Sequence, residues 1–292
     1  MGGRPAVLVF NPWSGGGRAP KLAGRVAEIL GRSGYELHEH ATERPDHATE
    51  LARQAADTGA EVVFAMGGDG TLREVAAGLL GTDTALAPLP LGTTNVIAYS
   101  LGLPAAPLPA AQVLAGAATR EIDVGSVAGR PFLMQCSFGL DGAALARVSP
   151  VAKRRFGKAA IVWAGVRELL SSGLPGLEIE IGDNRYRASF VAACNLPHYA
   201  GRMALAPGAD PADALLDVVI FAGESRAALV GFARDLVRGR HTERSDVERA
   251  HASRLRVSSA RPFAVQTDGD YVERTTGVEI ELGPERLKVL AP

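Results

Sequence analysis

Three short apolar stretches in the first hundred residues each run into a polar loop built around glycine, and this repeated pairing constrains the fold of the chain. Ala6–Phe10 leads into Asn11-Pro12-Trp13-Ser14-Gly15-Gly16-Gly17, Glu61–Met66 into Gly67-Gly68-Asp69-Gly70-Thr71, and Ala85–Leu89 into Pro90-Leu91-Gly92-Thr93-Thr94-Asn95. Helical patterns at Lys21–Leu30, near His47–Ala56 and at Leu72–Leu80 separate the apolar stretches, and a further strand is expected near Tyr35–His40. Alternation of this kind builds a parallel α/β sheet. In an open parallel sheet all three loops gather at the carboxyl edge, where ligands bind. Glycine lets backbone N–H groups approach phosphate oxygens closely, and a following helix points its positive end at them.

Asp69 is the telling residue among them. A carboxylate beside phosphate-binding glycines is costly unless a cation such as Mg²⁺ lies between it and the polyanion. The plainer role is a cap on the Leu72 helix. The spacing fits neither the GxxxxGK[ST] loop nor the dinucleotide GxGxxG, and the chain contains no HExxH. Nor is there a GxSxG elbow, since Pro12 stands where the first glycine before Ser14 would be. Cys136 and Cys194 lie 58 residues apart with no CxxC and read as reduced, semi-buried thiols.

After Asp123 the pattern changes to longer alternating runs, such as Glu178–Ile181, Arg185–Ala193 and Val278–Leu282, joined by Gly, Asp and Asn turns. Period-two alternation means antiparallel strands with one wet face. Helices are expected within this region near Phe156–Leu170 and Arg226–Val237. The expected division is therefore residues 1–124 and 125–292, with the strand-like piece at 285–292 assignable to either part. Thirty-one basic residues against 32 acidic ones give a net charge of −1, which excludes a nucleic-acid binder working by bulk charge. From Thr84 to Thr119 the chain carries no charge over 36 residues, but five prolines and three glycines break it far short of the ~20 apolar residues of a membrane span. It reads as a buried strand, a loop and packing helices. Met1-Gly2-Gly3-Arg4-Pro5 lacks the apolar run of a secretory signal, and the cytoplasm is the expected location.

Taken together, Asn11-Pro12 with Ser14-Gly15, Thr42 ahead of Asp46-His47-Ala48, Gly67–Thr71 with Glu74, and Gly92-Thr93-Thr94-Asn95 resemble the diacylglycerol kinase catalytic domain of the bacterial lipid kinase family. The Gly-Gly-Asp-Gly-Thr loop is shared with sphingosine kinases, NAD kinases and, more distantly, phosphofructokinases. The resemblance continues through Ile122–Gly125, Phe138–Asp141, Asn195-Leu196-Pro197 with Gly201, and Asp268-Gly269-Asp270. It implies a phosphofructokinase-like, NAD kinase-like parallel α/β domain holding ATP, followed by an antiparallel β-sandwich domain that closes a cleft over it. The implied reaction is transfer of the ATP γ-phosphoryl group to a lipid hydroxyl, with Mg²⁺. The residues carried over to the nucleotide side are Asn11, Pro12, Ser14, Gly15, Thr42, Gly67, Gly68, Asp69, Gly70, Thr71, Glu74, Gly92, Thr93 and Asn95. Positioning and charge stabilisation are what phosphoryl transfer asks of such loops.

Where the family usually reads Asp-Gly-Glu, its Glu the proton acceptor, this chain has Asp268-Gly269-Asp270, and Asp270 loses roughly 1.5 Å of reach. Asp270 is the expected base, Asp268 the alternative, and an ordinary Asp-Gly turn the plainest reading. Many members have Asp where this chain has Val96. Many also have Asp-Asp-Gly in a structural Mg²⁺ site where this chain has Ala212-Asp213-Ala214. Asp213 with the carbonyls of Pro211 and Leu215 is what remains for that metal, beside the reading of a surface loop. Arg147, Lys153, Arg154, Arg155 and Lys158 precede an apolar helix and would suit an anionic membrane surface, or simply a solvated helix start. The expected partners are a lipid substrate and, by peripheral contact, the inner face of a membrane, with no nucleic acid; a homodimer is left open. The rival functions are an NAD kinase and a non-catalytic lipid- or nucleotide-binding homologue.

Overall fold

Apolar runs too short for helices and free of polar alternation become the centre of a sheet covered on both faces. The computed structural model describes residues 3–139 and 174–292, and within them the chain divides into two units. The expected helix at Phe156–Leu170, the basic cluster from Arg147 to Lys158, and Leu140-Asp141 lie outside the described residues. The first unit comprises Met1–Val124, Ala200–Arg202 and Pro284–Pro292. Its strands are β1 (Arg4–Phe10), β2 (Tyr35–Ala41), β3 (Val62–Gly67), β4 (Ala85–Pro90) and β5 (Ala118–Ile122), joined by the chain's final strand, Leu287–Ala291.

The sheet order is β2, β1, β3, β4, the final strand, then β5. All pairings are parallel except that between the final strand and β5. β3 and β4 are buried along their whole length, so neither shows alternation. β5 closes one edge with Thr119, Arg120 and Glu121 exposed, the last two charged positions of the kind that discourage further strand pairing. Helices Ala19–Arg32, His47–Asp57, Asp69–Leu79 and Pro107–Leu114 cover the faces, each burying an Ala- or Leu-rich stripe. The uncharged stretch resolves into β4, the Gly92–Asn95 loop, a one-turn helix at Val96–Ser100 and the Pro107–Leu114 helix. Among the described residues no helix is long and apolar enough to cross a membrane.

The second unit, Gly125–Tyr199 with Met203–Gly283, is an antiparallel sheet. Its long strand Arg254–Thr267 breaks register with Asp270–Leu282 between Ser258 and Phe263, which lets one strand serve two layers. Inward residues from Leu177–Ile181, Gln135–Phe138, Leu216–Phe221 and Arg254–Thr267 share one buried cluster, the core of a sandwich-like body. On the opposite face Phe190, Cys194, Phe221 and Phe232 form a second cluster under the Arg226–Val237 helix.

Candidate active site

The carboxyl ends of four adjacent strands form a continuous edge, stitched by their first loop residues. Thr42 N donates to Phe10 O at 2.9 Å, Asn11 N to Met66 O at 3.1 Å, and Leu91 N to Gly67 O at 2.7 Å. The loops after β1, β3 and β4 are thereby neighbours, and Thr42 closes β2 beside them.

Their backbones touch where only glycine permits it. A Cβ on Gly92 would stand 2.5 Å from the Gly68 Cα, and one on Gly15 would stand 2.7 Å from the Leu91 side chain. In the first loop Asn11 accepts from Trp13 N at 3.0 Å, and Ser14 begins a tight turn in which Gly15, Gly16 and Gly17 all have left-handed φ. Pro12 lies ahead of that turn, half-buried beside the exposed Trp13. In the third loop Asn95 folds back on Gly92, accepting from Gly92 N at 2.7 Å and donating to Gly92 O at 3.1 Å. Thr93 stands exposed at its tip, as does Gly70 in the second loop, whereas Thr71 is buried.

Asp69 does not cap the helix it begins; Gly68 holds that position. Its carboxylate reaches to the next loop instead, accepting from Thr94 Oγ1 at 3.0 Å and from Ile97 N at 3.0 Å. It thus caps the Val96–Ser100 helix from outside and fixes the second and third loops together. Each oxygen accepts one hydrogen bond and keeps lone-pair capacity toward the open side. One such carboxylate suits Mg²⁺, which binds through one or two protein carboxylates plus substrate phosphates.

Glu74 lies away from the glycines. It accepts from Ala48 N at 3.3 Å and from Asp46 N, so it caps the His47–Asp57 helix, whose own N-cap Asp46 has a left-handed φ of 63°. Burial pushes the Glu74 carboxyl above its ordinary value. Its role is to pin the Thr42–Asp46 segment to the Asp69–Leu79 helix.

In the second unit, Thr267 and Asp270 pair across a two-residue turn in which Asp268 (φ 50°) and Gly269 (φ 81°) are both left-handed, the geometry a tight hairpin needs. The Asp268 carboxylate is buried and accepts from Leu133 N at 2.8 Å, Met134 N at 2.8 Å and Gln135 N at 3.0 Å. Three such bonds occupy it with holding the neighbouring segment. Gly269 N donates to Gln266 Oε1 at 2.9 Å, and Gln266 Nε2 donates to Ser137 Oγ. On this doubly anchored turn Asp270 is half-buried at the head of the next strand.

Asp213 sits on an exposed loop where its Oδ1 accepts from Leu215 N at 2.9 Å, while Asp210 accepts from Ala212 N at 3.0 Å; Pro211 lies between them. Among the described residues no group of three or more His, Cys, Asp or Glu is placed to hold a metal ion. One contributor to the site is not marked by the sequence. Thr94 was visible only as an unspecified position inside its loop. Arg202 belongs to the first unit although remote in sequence, with its guanidinium 5.2 Å from the Tyr99 ring centroid.

The chain matches the diacylglycerol kinase catalytic domain over residues 5–127 and the YegS C-terminal NAD kinase beta sandwich-like domain over residues 134–291. It is 31% identical over 246 residues to a probable lipid kinase YegS-like protein of Pseudomonas aeruginosa, covering 83% of this chain and 80% of that one. It is 29% identical over 271 residues to a Bacillus subtilis diacylglycerol kinase, covering 91% and 89%. A crystal structure of a diacylglycerol kinase from Bacillus anthracis superposes with a TM-score of 0.78 at 20% identity, covering 100% of this chain and 98% of that one. An Archaeoglobus fulgidus NAD kinase in complex with ATP shares the fold more distantly, with a TM-score of 0.57 at 13% identity over 98% and 93% of the two chains.

Proposed function

The chain belongs to the diacylglycerol kinase catalytic domain family, and from that membership we propose that it is an ATP-dependent lipid kinase, transferring the γ-phosphoryl group to a hydroxyl of a lipid such as diacylglycerol. The observation that carries the reading is the Asp69 bridge between two glycine loops in backbone contact. It places a carboxylate at the rim of a surface bare enough for phosphate oxygens to approach main-chain N–H groups.

In this reading the loops after β1, β3 and β4 hold the triphosphate, and Asp69 faces its metal side. Mg²⁺ bound with the nucleotide supplies neutralisation of the phosphoryl oxygens. Asp270 accepts the proton of the lipid hydroxyl as its oxygen forms the new bond to phosphorus and the bond to ADP breaks. Asp268 keeps the turn beneath Asp270 rigid and takes no proton, because its oxygens serve three backbone donors.

The test is ATP turnover with Mg²⁺ against diacylglycerol, sphingoid, phosphatidylglycerol and NAD acceptors. Phosphorylated lipid is the expected product. Turnover on NAD alone would make the chain an NAD kinase, and ATP binding without any phosphorylated product would leave a binding protein.

A further inference from the structure

We propose that the outward face of the Arg226–Val237 helix is a docking surface for an anionic lipid bilayer. The helix is capped by Ser225, whose hydroxyl accepts from Ala228 N at 3.0 Å. Its inner face is fully used. Phe232 stacks on Phe221 with centroids 4.6 Å apart and meets His241 edge-on, while Leu229 and Leu236 pack on the same cluster.

The outer face is unusual for a helix in water. Val230 and Val237 are 58% and 74% exposed, and seven residues apart they stand two turns above one another. Ala227 and Ala233 extend the apolar strip, and Arg226, Arg234 and Arg238 flank it, all exposed. The helix's one acid, Asp235, is shared between Arg234 and Arg244, so it balances part of the Arg234 charge and leaves Arg226 and Arg238 as the flanking charges on which the face relies. Its carboxylate is mostly covered and is bound by Arg244 at 2.8 Å as well as by Arg234 at 3.0 Å. Glu224 precedes the helix, and Glu243 follows it within reach of Arg240 at 3.7 Å.

Two valines and two alanines fall well short of the roughly 800 Å² per partner that a specific protein interface buries. They suit shallow insertion between headgroups, where flanking arginines supply the attraction and snorkel to phosphates. The choice of a bilayer as occupant rests on the lipid-kinase reading; the face itself does not.

Flotation of the full-length protein with phosphatidylcholine vesicles, with and without phosphatidylglycerol and in the absence of nucleotide, tests the surface. Binding should require phosphatidylglycerol and weaken as salt is raised. Each arginine removed should lower partitioning roughly fivefold, so the Arg226→Gln/Arg238→Gln variant should lose about 25-fold. Val230→Ser/Val237→Ser should lower partitioning with its salt dependence intact. Partitioning of both double variants equal to the parent protein overturns the proposal. So does a dimer in solution that Val230→Ser/Val237→Ser disperses while vesicle binding persists, because the face would then serve a second copy. Both arginines are exposed, which keeps the test valid should the valine variant fold poorly. Turnover on a short-chain lipid in detergent micelles should be unchanged in these variants. Failure of the kinase reading would instead remove turnover with every acceptor and leave flotation measurable.

Discussion

In the turn from Thr267 to Asp270 the two aspartates meet different surroundings, and chemistry divides between them accordingly. Asp268 spends its charge on three main-chain donors more than 130 residues away. Removing it strands buried N–H groups, so Asp268→Ala should lower stability by about 3 kcal/mol or more, seen as a fall in the thermal midpoint. Asp270→Asn should leave the midpoint unchanged and lower kcat by roughly 10²- to 10⁴-fold, the span of general-base catalysis. Full kcat in that variant would remove Asp270 from the base position. The sequence could mark this turn, because Asp-Gly followed by an alternating run is a local signal. It could not tell the two aspartates apart, since the partners that decide the matter are brought in by the Gln135–Phe138 strand.

Among the elements, the strand–loop–helix series was legible because three of the apolar runs lead into polar loops that contain glycine and set them off from the helices that follow. β5 was not, since Thr119, Arg120 and Glu121 face solvent and give it no apolar pattern. The inter-loop bridge was half legible: Asp69 was conspicuous by its charge, whereas Thr94 had no distinguishing neighbour. Thr94→Val should leave Asp69 with only Ile97 N, cost about 1 kcal/mol of stability, and raise KM for ATP severalfold, with Thr94→Ser restoring both. An unchanged KM would mean that the bridge only supports the loops. On the Arg226–Val237 helix, hydrogen bonds from Arg234 and Arg244 lower the Asp235 carboxyl from 3.8 to about 2. A depressed carboxylate stabilises the fold above its unfolded value and loses that contribution as it protonates. Thermal midpoints should therefore fall between about pH 4 and pH 2. Asp235→Asn should show a shallower decline over the same window.

At the scale of the whole molecule, the pairing of the final strand reorders the domain description. Leu287–Ala291 runs antiparallel to β5 with Leu287 opposite Ile122, and Val289 pairs with Leu86 of β4 on its other side. β5 and the final strand thus pair directly although remote in sequence, and of the chain between Val124 and Pro284 all but Ala200–Arg202 belongs to the second unit. Composition left this piece assignable to either part, because five residues carry too little periodicity to say which sheet they join. Arg286 strengthens the junction with an ion pair to Asp123 at 2.9 Å. A fragment ending at Val124 would expose the flank of β4, where Leu86 and Leu89 are fully buried in the intact chain. It should be molten, binding hydrophobic dye and giving poorly dispersed NMR spectra. Deleting 125–283 and joining Val124 directly to Pro284 leaves Asp123, Val124, Pro284, Glu285 and Arg286 between the paired ends, a loop length ordinary for a hairpin. That shortened chain should unfold cooperatively and give dispersed spectra. Equal disorder in both fragments would show that the first unit needs more of the deleted chain than its final strand, Ala200–Arg202 being the part that belongs to it.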